Sequence, residues 1–197
     1  MAVNIPVSLA QRQADLTQRL IVEAGMQLLE SSSAPEVTVR AVAAKANLSE
    51  RTVFRYFATR EALIDALAAA VTERLGSIAA MPTTVEELLD APARLFQGFE
   101  AESKLTRAAL HTEISDRIRL GVARKRLDAI RKVVDRVAAG SPERQRKIAA
   151  TNIRFFLSAS TWQYYRFTFG LSAAETVECA QAAIRQALEA VCGRRLP

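Results

Sequence analysis

Two arginines stand four residues apart in the short segment 50–56, at Arg51 and Arg55. A helix over this segment places both guanidinium groups on one outward face, with Glu50 beside them. A guanidinium group donates paired hydrogen bonds to a guanine edge or to phosphate oxygens. Glu50 is suited either to accept from a cytosine amino group or simply to stabilise the start of the helix by its charge. The chemistry that these residues indicate is recognition of a nucleic acid.

A helix of seven residues is too short to be stable alone, so neighbouring segments must hold it. Ser49 precedes it and Thr38 precedes the segment 39–46, and both residue types favour helix N-caps. Asn47 lies between the two segments and tolerates the left-handed conformation that ends a helix. The spacing therefore predicts a helix-turn-helix whose second helix enters a DNA major groove. The inward faces of the two helices are formed by Val39, Val42, Ala43, Ala46, Val53, Tyr56 and Phe57.

This stretch resembles the DNA-binding domain of the TetR family of bacterial transcriptional regulators. The shared pattern is Thr-x-Arg-x-apolar-Ala at 38–43, Ser-x-x-Thr-apolar-aromatic-x-Tyr-Phe at 49–57, and a polar residue, a base, Glu, Ala and Leu at 59–63. The resemblance extends back over 19–29 and covers about the first third of the chain. Spacing, capping residues and aromatic positions agree together, which makes the pattern specific.

The chain departs from the family pattern at three positions. Asn47 stands where the family usually has Gly, Phe54 where a Tyr is common, and Arg60 where a Lys is frequent. The change at Arg60 keeps the positive charge. At Phe54 the phenolic hydroxyl that would reach a phosphate is missing.

Within the predicted helix-turn-helix, Arg51 and Arg55 are expected at base edges, and Arg40 reaches in from the first helix. The groups expected to hold the helix-turn-helix on the phosphate backbone are Thr38, Ser49, Thr52, Tyr56 and Arg60. The predicted DNA-binding set is therefore Thr38, Arg40, Ser49, Glu50, Arg51, Thr52, Phe54, Arg55, Tyr56 and Arg60.

Half of the 197 residues are hydrophobic, whereas Gly (7) and Pro (6) are scarce. This composition favours an all-α protein, and no apolar run reaches the roughly 18 residues that a membrane span needs. Residues 1–9 lack the basic start and long apolar core of a secretory signal, so a cytoplasmic protein without a membrane partner is expected. Cys179 and Cys192 lie in one predicted helix about 20 Å apart, too far for a disulfide.

The net charge of +6 is unevenly distributed. Residues 1–75 hold 8 basic and 8 acidic side chains, so the predicted DNA-binding head is neutral. The excess lies in 104–147, with 13 basic and 5 acidic side chains. A solvated face of long helices explains this excess, and the alternatives are an anionic effector or a second contact with phosphates. The DNA assignment therefore rests on the motif and not on the charge.

Apolar periodicity and end signals predict about nine helices. The predicted spans are 11–31, 39–46, 50–56, 60–76, 85–99, 104–111, 115–139, 142–169 and 173–192. The fold class is thus all-α, with a three-helix head and a C-terminal helical bundle. The apolar face of the first helix is expected at Leu16, Leu20, Ala24 and Leu28, with Ile21 alongside. The fifth helix is expected to continue past Pro92 with a kink.

Residues 1–75 are predicted to form the DNA-binding domain with its connecting helix, and 76–197 a ligand-sensing and dimerisation domain. In the family that the chain resembles, the last two long helices form a dimeric four-helix bundle and the middle helices enclose an effector pocket. The resemblance therefore implies a homodimer through 142–192. The apolar repeat of the last helix places Ile184 at the centre of that seam, where a charge is expected to split the dimer.

Aromatic and imidazole side chains of the C-terminal part are the candidate effector contacts. They are Phe96, Phe99, His111, Phe155 and Trp162. A surface or capping position is the competing interpretation for His111. For the aromatic rings the competing interpretations are an ordinary core and a dimer seam.

Residues for catalysis are lacking in the sequence. It has one histidine, no Cys-x-x-Cys or His-x-x-x-His spacing, no glycine-rich phosphate loop and no nucleophile elbow. We therefore expect no enzyme, no metal and no cofactor.

The functional hypothesis is a sequence-specific transcriptional regulator that binds a near-palindromic operator and, as a repressor, leaves it when an unknown small molecule binds. One alternative is a helix-turn-helix activator or architectural protein that senses no ligand. Another is a helical small-molecule-binding or catalytic protein whose head no longer binds DNA, which the neutral head and Phe54 favour.

Overall fold

A computed structural model describes residues 8–31, 37–76, 81–118 and 124–195. Within these ranges the regular secondary structure is helical, which confirms the all-α prediction. The helices are α1 Leu9–Ser31, α2 Val39–Lys45, α3 Glu50–Tyr56, α4 Arg60–Gly76, α5 Val85–Ala101, α6 Ser103–Leu110, α7 Glu113–Ile118, α8 Arg124–Val137, α9 Glu143–Phe156, α10 Ala159–Gln163 and α11 Ala173–Cys192. A π-helical turn, Tyr164–Thr168, follows α10.

The described ranges contain eleven α-helices, two more than the sequence predicted. The predicted helix over 142–169 is wrong, because α9 ends at Phe156 and α10 begins anew at Ala159. Ser158 is extended between them, and its hydroxyl accepts a hydrogen bond from the Thr161 amide at 3.1 Å. The aromatic periodicity continues across this cap, which is why the sequence pattern does not reveal it. The predicted helix over 115–139 corresponds to α7 and α8, and 119–123 lie outside the described residues.

Two clusters of buried apolar side chains form the core. The first joins α1 to α4 with α6 and α7, and Leu63, Ile64 and Leu67 of α4 are fully buried in it. The second joins α5 with α8 to α11 around Trp162 and Ile184, also fully buried. Helices α6 and α7 therefore pack against the N-terminal cluster although they follow residue 76 in the chain. This packing connects the helix-turn-helix directly to the middle of the protein.

The buried face of α1 differs from the predicted one. Leu16 and Leu20 are 59% and 52% exposed, whereas Ile21 and Leu29 are fully buried. A repeat of exactly four residues turns by 400° and so drifts about 40° per step around a helix. Ala24 remains buried on the face that packs against α4. The four-residue repeat of leucines thus leaves the core towards the start of the helix.

Hydroxyl side chains cap the starts of three further helices. Thr59 and Thr84 accept from the amides of Ala62 and Glu87, and Ser172 forms a complete capping box with Glu175. Helix α5 continues past Pro92 as one element, as predicted. Both cysteines are free thiols.

Gly25 lies where α1 crosses α4 at close range. A methyl group built at this position would stand 2.5 Å from Cδ2 of Leu67, a fully buried side chain. Gly25→Ala is therefore expected to lower the free energy of unfolding by about 1–3 kcal/mol, the usual cost of overpacking a core. Urea denaturation followed by circular dichroism measures the change. Gly140→Ala is the matched control, because a methyl group there meets nothing within 4 Å. Equal stability of the two variants would contradict the close packing of α1 on α4.

Candidate nucleic-acid interface and internal cavity

The helix-turn-helix is shaped by its capping residues. The Thr38 hydroxyl accepts from the Ala41 amide at 3.1 Å, and the Ser49 hydroxyl accepts from the Thr52 amide at 3.1 Å. Asn47 adopts a positive φ of 55°, the left-handed conformation that the turn requires. These contacts fix the directions of α2 and α3 relative to each other. The predicted caps and turn are all confirmed.

Helix α3 has one buried and one exposed side. Val53 is fully buried and Phe57, which caps the helix end, is 5% exposed. The opposite side carries the exposed side chains Glu50, Arg51, Phe54 and Arg55. Arg40 of α2 is exposed as well. A short, firmly anchored helix thus presents basic side chains to solvent.

Arg55 and Tyr56 interact at the end of α3. The Arg55 guanidinium lies 5.1 Å from the centroid of the Tyr56 ring, and its Nη2 donates to the phenolic oxygen at 3.4 Å. A hydrogen bond with Thr17 and this neighbouring guanidinium lower the pKa of the Tyr56 phenol. Arg55 therefore rests against an aromatic face at the rim of the head. Thr52 is half-buried, and its hydroxyl lies 2.8 Å from that of Ser49.

Arg60 has partners within the protein. Its guanidinium forms a two-pronged ion pair with Glu113, with Nη1 at 3.1 Å from Oε2, and donates from Nη2 to the Val37 carbonyl at 3.2 Å. The hydrogen bond from Arg60 lowers the pKa of Glu113. Arg60 thus ties the start of α4 to α7 and to the residue before the helix-turn-helix. A contact between Arg60 and a phosphate would have to compete with Glu113.

A cavity of about 550 Å³ lies between the head and the C-terminal bundle. Helices α4 to α10 all contribute side chains to its wall. Val71, Thr72 and Leu75 come from the second half of α4, the helix that begins next to the recognition helix. The size of the cavity and its mainly apolar wall are typical of small-molecule sites.

The candidate effector residues divide between wall and core. Phe99 and Phe155 line the cavity. Phe96 and Trp162 are fully buried behind it, where Phe99 packs against both rings at 6.1 and 5.9 Å between centroids. The Trp162 indole donates to a carboxylate oxygen of Glu100 at 3.0 Å. Hydrophobic periodicity does not separate a ring that faces a cavity from one in the layer behind.

His111 is exposed and does not line the cavity. Its Nε2 lies 3.0 Å from Nε2 of Gln163, and the residue caps the C-terminal end of α6. This position agrees with the capping alternative that the sequence left open.

Sequence reasoning missed two cavity residues, Arg126 and Arg154. Arg126 is only 9% exposed, and it stands four residues before the buried Ile130 on α8. Burial lowers the pKa of both guanidinium groups, and the like charge of Arg154 lowers that of Arg126 further, to about 10. For Arg126 the sequence did contain a signal that could have identified it: a basic residue on the apolar face of an amphipathic helix.

Residues 21–67, which contain the helix-turn-helix, match the family model described as bacterial regulatory proteins, tetR family. This N-terminal segment of the chain is thus similar to the tetR family. Over 62 residues it is 39% identical to an uncharacterized HTH-type transcriptional regulator, YvkB, of Bacillus subtilis (strain 168). That match covers 32% of this chain and 33% of the relative, so it spans about a third of the relative's length.

Solved structures of the tetR family share the fold. A tetR-family regulator from Streptomyces coelicolor superposes with a TM-score of 0.61 at 16% identity, covering 91% of this chain and 82% of that one. A second structure is that of NalD, the secondary repressor of the MexAB-OprM multidrug efflux pump in Pseudomonas aeruginosa. It superposes with a TM-score of 0.59 at 14% identity, covering 89% of this chain and 96% of NalD. The family consists of regulators rather than enzymes.

Two further features concern the described ranges alone. Nowhere in them do three or more His, Cys, Asp or Glu side chains come together as metal ligands would. No helix in these ranges combines the length and apolar character that crossing a membrane requires.

Proposed function

We propose that this protein is a cytoplasmic homodimeric repressor of the tetR family that leaves a near-palindromic operator when a small molecule binds. Residues 1–75 would bind DNA, and 76–197 would sense the effector and dimerise. The observation that carries the proposal is the shared helix α4. It begins beside the recognition helix and contributes Val71, Thr72 and Leu75 to the wall of the cavity.

Operator binding is supported by the exposed side of α3. Arg51 and Arg55, with Arg40 of α2, are the exposed basic groups that we assign to base edges. The groups that we assign to the phosphate backbone are Thr38, Ser49, Thr52, Tyr56 and Arg60. Since residues 1–75 are electrically neutral overall, specificity must come from these placed groups and not from a general positive field.

Dimerisation is supported by exposed apolar side chains on the two long helices α9 and α11, which pack on each other. Ile148 and Phe155 of α9 are 49% and 60% exposed. On α11 the small side chains of Cys179, Ala182 and Ala190 are exposed. Small residues beside large apolar ones allow two helix pairs to approach closely in a four-helix bundle.

Coupling between cavity and DNA is supported by contacts of α7. Ser115 and Ile118 of this helix line the cavity. The same helix is clamped to the first half of α4 by the Arg60–Glu113 pair and by Arg117, whose Nη1 lies 2.6 Å from Oδ1 of Asp65. An effector that fits only the DNA-incompetent arrangement must weaken operator binding by the factor by which DNA weakens effector binding.

A regulator that senses no ligand is the alternative. Such a protein has no need of a pocket with the size and the mainly apolar wall of a small-molecule site. The cavity of about 550 Å³ therefore favours the ligand-responsive function.

Selection of binding sites from random duplex DNA tests the proposal. We expect a near-palindromic consensus, because a twofold dimer presents two equivalent recognition helices about 34 Å apart or a multiple of that distance. Footprinting of the selected sequence gives the symmetry of the contacts. A single unsymmetrical half-site bound by one chain would contradict the dimeric operator complex, and the absence of any enriched sequence would contradict operator binding.

A further inference from the structure

The wall of the cavity carries positive charge without a counter-charge. Among its described residues are Arg124, Arg126 and Arg154, and none is acidic. The rest of the wall is mainly apolar, with Val71, Leu95 and Phe99 among its members. Such a wall suits a ligand with one charged end and an apolar body.

Arg126 is buried and Arg154 is half-buried, and neither has the carboxylate partner that other arginines of the chain possess. Neither Arg126 nor Arg154 has a carboxylate within 4 Å in the described ranges. The Nε atom of Arg154 is buried without a hydrogen-bond partner, and Nη1 has only the Leu157 carbonyl at 3.3 Å. Arg166, by contrast, is paired with Glu100.

An unpaired buried cation is costly, and a second one beside it adds repulsion. Burial and the nearness of Arg154 lower the pKa of Arg126 to about 10, which still leaves it charged at neutral pH. A chain selected for stability alone would hold apolar side chains at these positions. The donors are therefore arranged for a group that the chain itself does not supply.

We propose that the effector is an organic anion, whose carboxylate or phosphate group is held by Arg126 and Arg154 and whose apolar body lies against the rest of the cavity wall. This inference rests on the proposed function, in which the cavity receives the effector. Charge-assisted hydrogen bonds from two guanidinium groups would give the site its preference for an anion over a neutral molecule of the same shape.

Binding of four compounds with one shared decyl chain tests the inference: decanoate, decyl phosphate, decanamide and decylamine. Calorimetry on the DNA-free protein gives affinities, and fluorescence of Trp162, which packs against Phe99, gives an independent signal. We expect the better of the two anions to bind about 10- to 100-fold more tightly than the amide, and the amine most weakly. The preference between carboxylate and phosphate identifies the head group.

Substitutions separate an anion site from a structural role. In Arg126→Met and Arg154→Met the advantage of the anions over decanamide should disappear, while decanamide affinity stays unchanged. Lys132→Met on the exposed side of α8 is the control and should bind like the wild type. Arg126→Met should also raise the melting temperature of the ligand-free protein, because an unpaired buried cation is removed, whereas loss of a structural residue would lower it.

Equal binding of decanoate, decyl phosphate and decanamide by the wild type would overturn the inference, as would undiminished anion affinity in both methionine variants. If Arg126→Met does not fold, Arg126→Gln provides the same comparison with a polar side chain. Fluorescence anisotropy of the operator complex tests the proposed function separately. Anion binding without release of the operator would support the anion site and refute its regulatory role. Release of the operator by decanamide alone would support the ligand-responsive function and refute the anion site.

Discussion

Replacing Arg51 with alanine is expected to weaken operator binding by about 2–6 kcal/mol, because a base contact contributes about 1–3 kcal/mol and a dimer loses it in both half-sites. Arg51 is exposed on the side of α3 opposite the fully buried Val53, so folding should be unaffected. Titrations of operator and scrambled duplex at several salt concentrations measure the effect. The loss should be specific to the operator, and base preference should relax at one position of each half-site.

Lys132→Ala is the matched control for this experiment. Lys132 is an exposed base on α8, outside the helix-turn-helix and outside the proposed dimer helices, and its loss makes the same change in net charge. Operator affinity should therefore stay at the wild-type value. If Arg51→Ala weakened operator and scrambled DNA equally, Arg51 would be a phosphate contact and the assignment of the reading residues would be wrong.

Replacing Ile184 with glutamate is expected to prevent folding. The side chain is fully buried within a single protomer, in the cluster that joins α11 to α5 and α9. An unpaired carboxylate at such a site costs about 5 kcal/mol or more, which is comparable to the whole stability of an ordinary domain. The sequence pattern placed Ile184 at the centre of a dimer seam, and its full burial within one protomer contradicts that placement. Circular dichroism and thermal unfolding distinguish loss of folding from a folded monomer.

Ile148→Glu is the variant that tests the dimer. Ile148 is 49% exposed on α9, so a glutamate there remains in contact with water in the monomer. We expect a folded protein that sediments as a monomer where the wild type sediments as a dimer. A wild type that is monomeric at micromolar concentration would refute the homodimer, and a fully folded Ile184→Glu would contradict the burial of that side chain.

The helix-turn-helix could be predicted from the sequence almost completely. Thr38 and Ser49 cap their helices, Asn47 adopts the left-handed conformation, and Val53 is buried while Arg51 is exposed. Each of these features depends on residues within one or two helical turns. Capping, turn chemistry and helical periodicity act over that range, so local sequence determines them.

The cavity, and which arginines have a carboxylate partner, could be known only from the tertiary structure. Seven helices enclose the space, and only their packing separates Phe99, which lines it, from Trp162 in the layer behind. The same packing buries Arg126 without a counter-charge and gives Arg60 the carboxylate of Glu113, 53 residues away. Burial and pairing are set by neighbours that are distant in the chain, and helical periodicity in one segment carries no information about which side chains those neighbours bring.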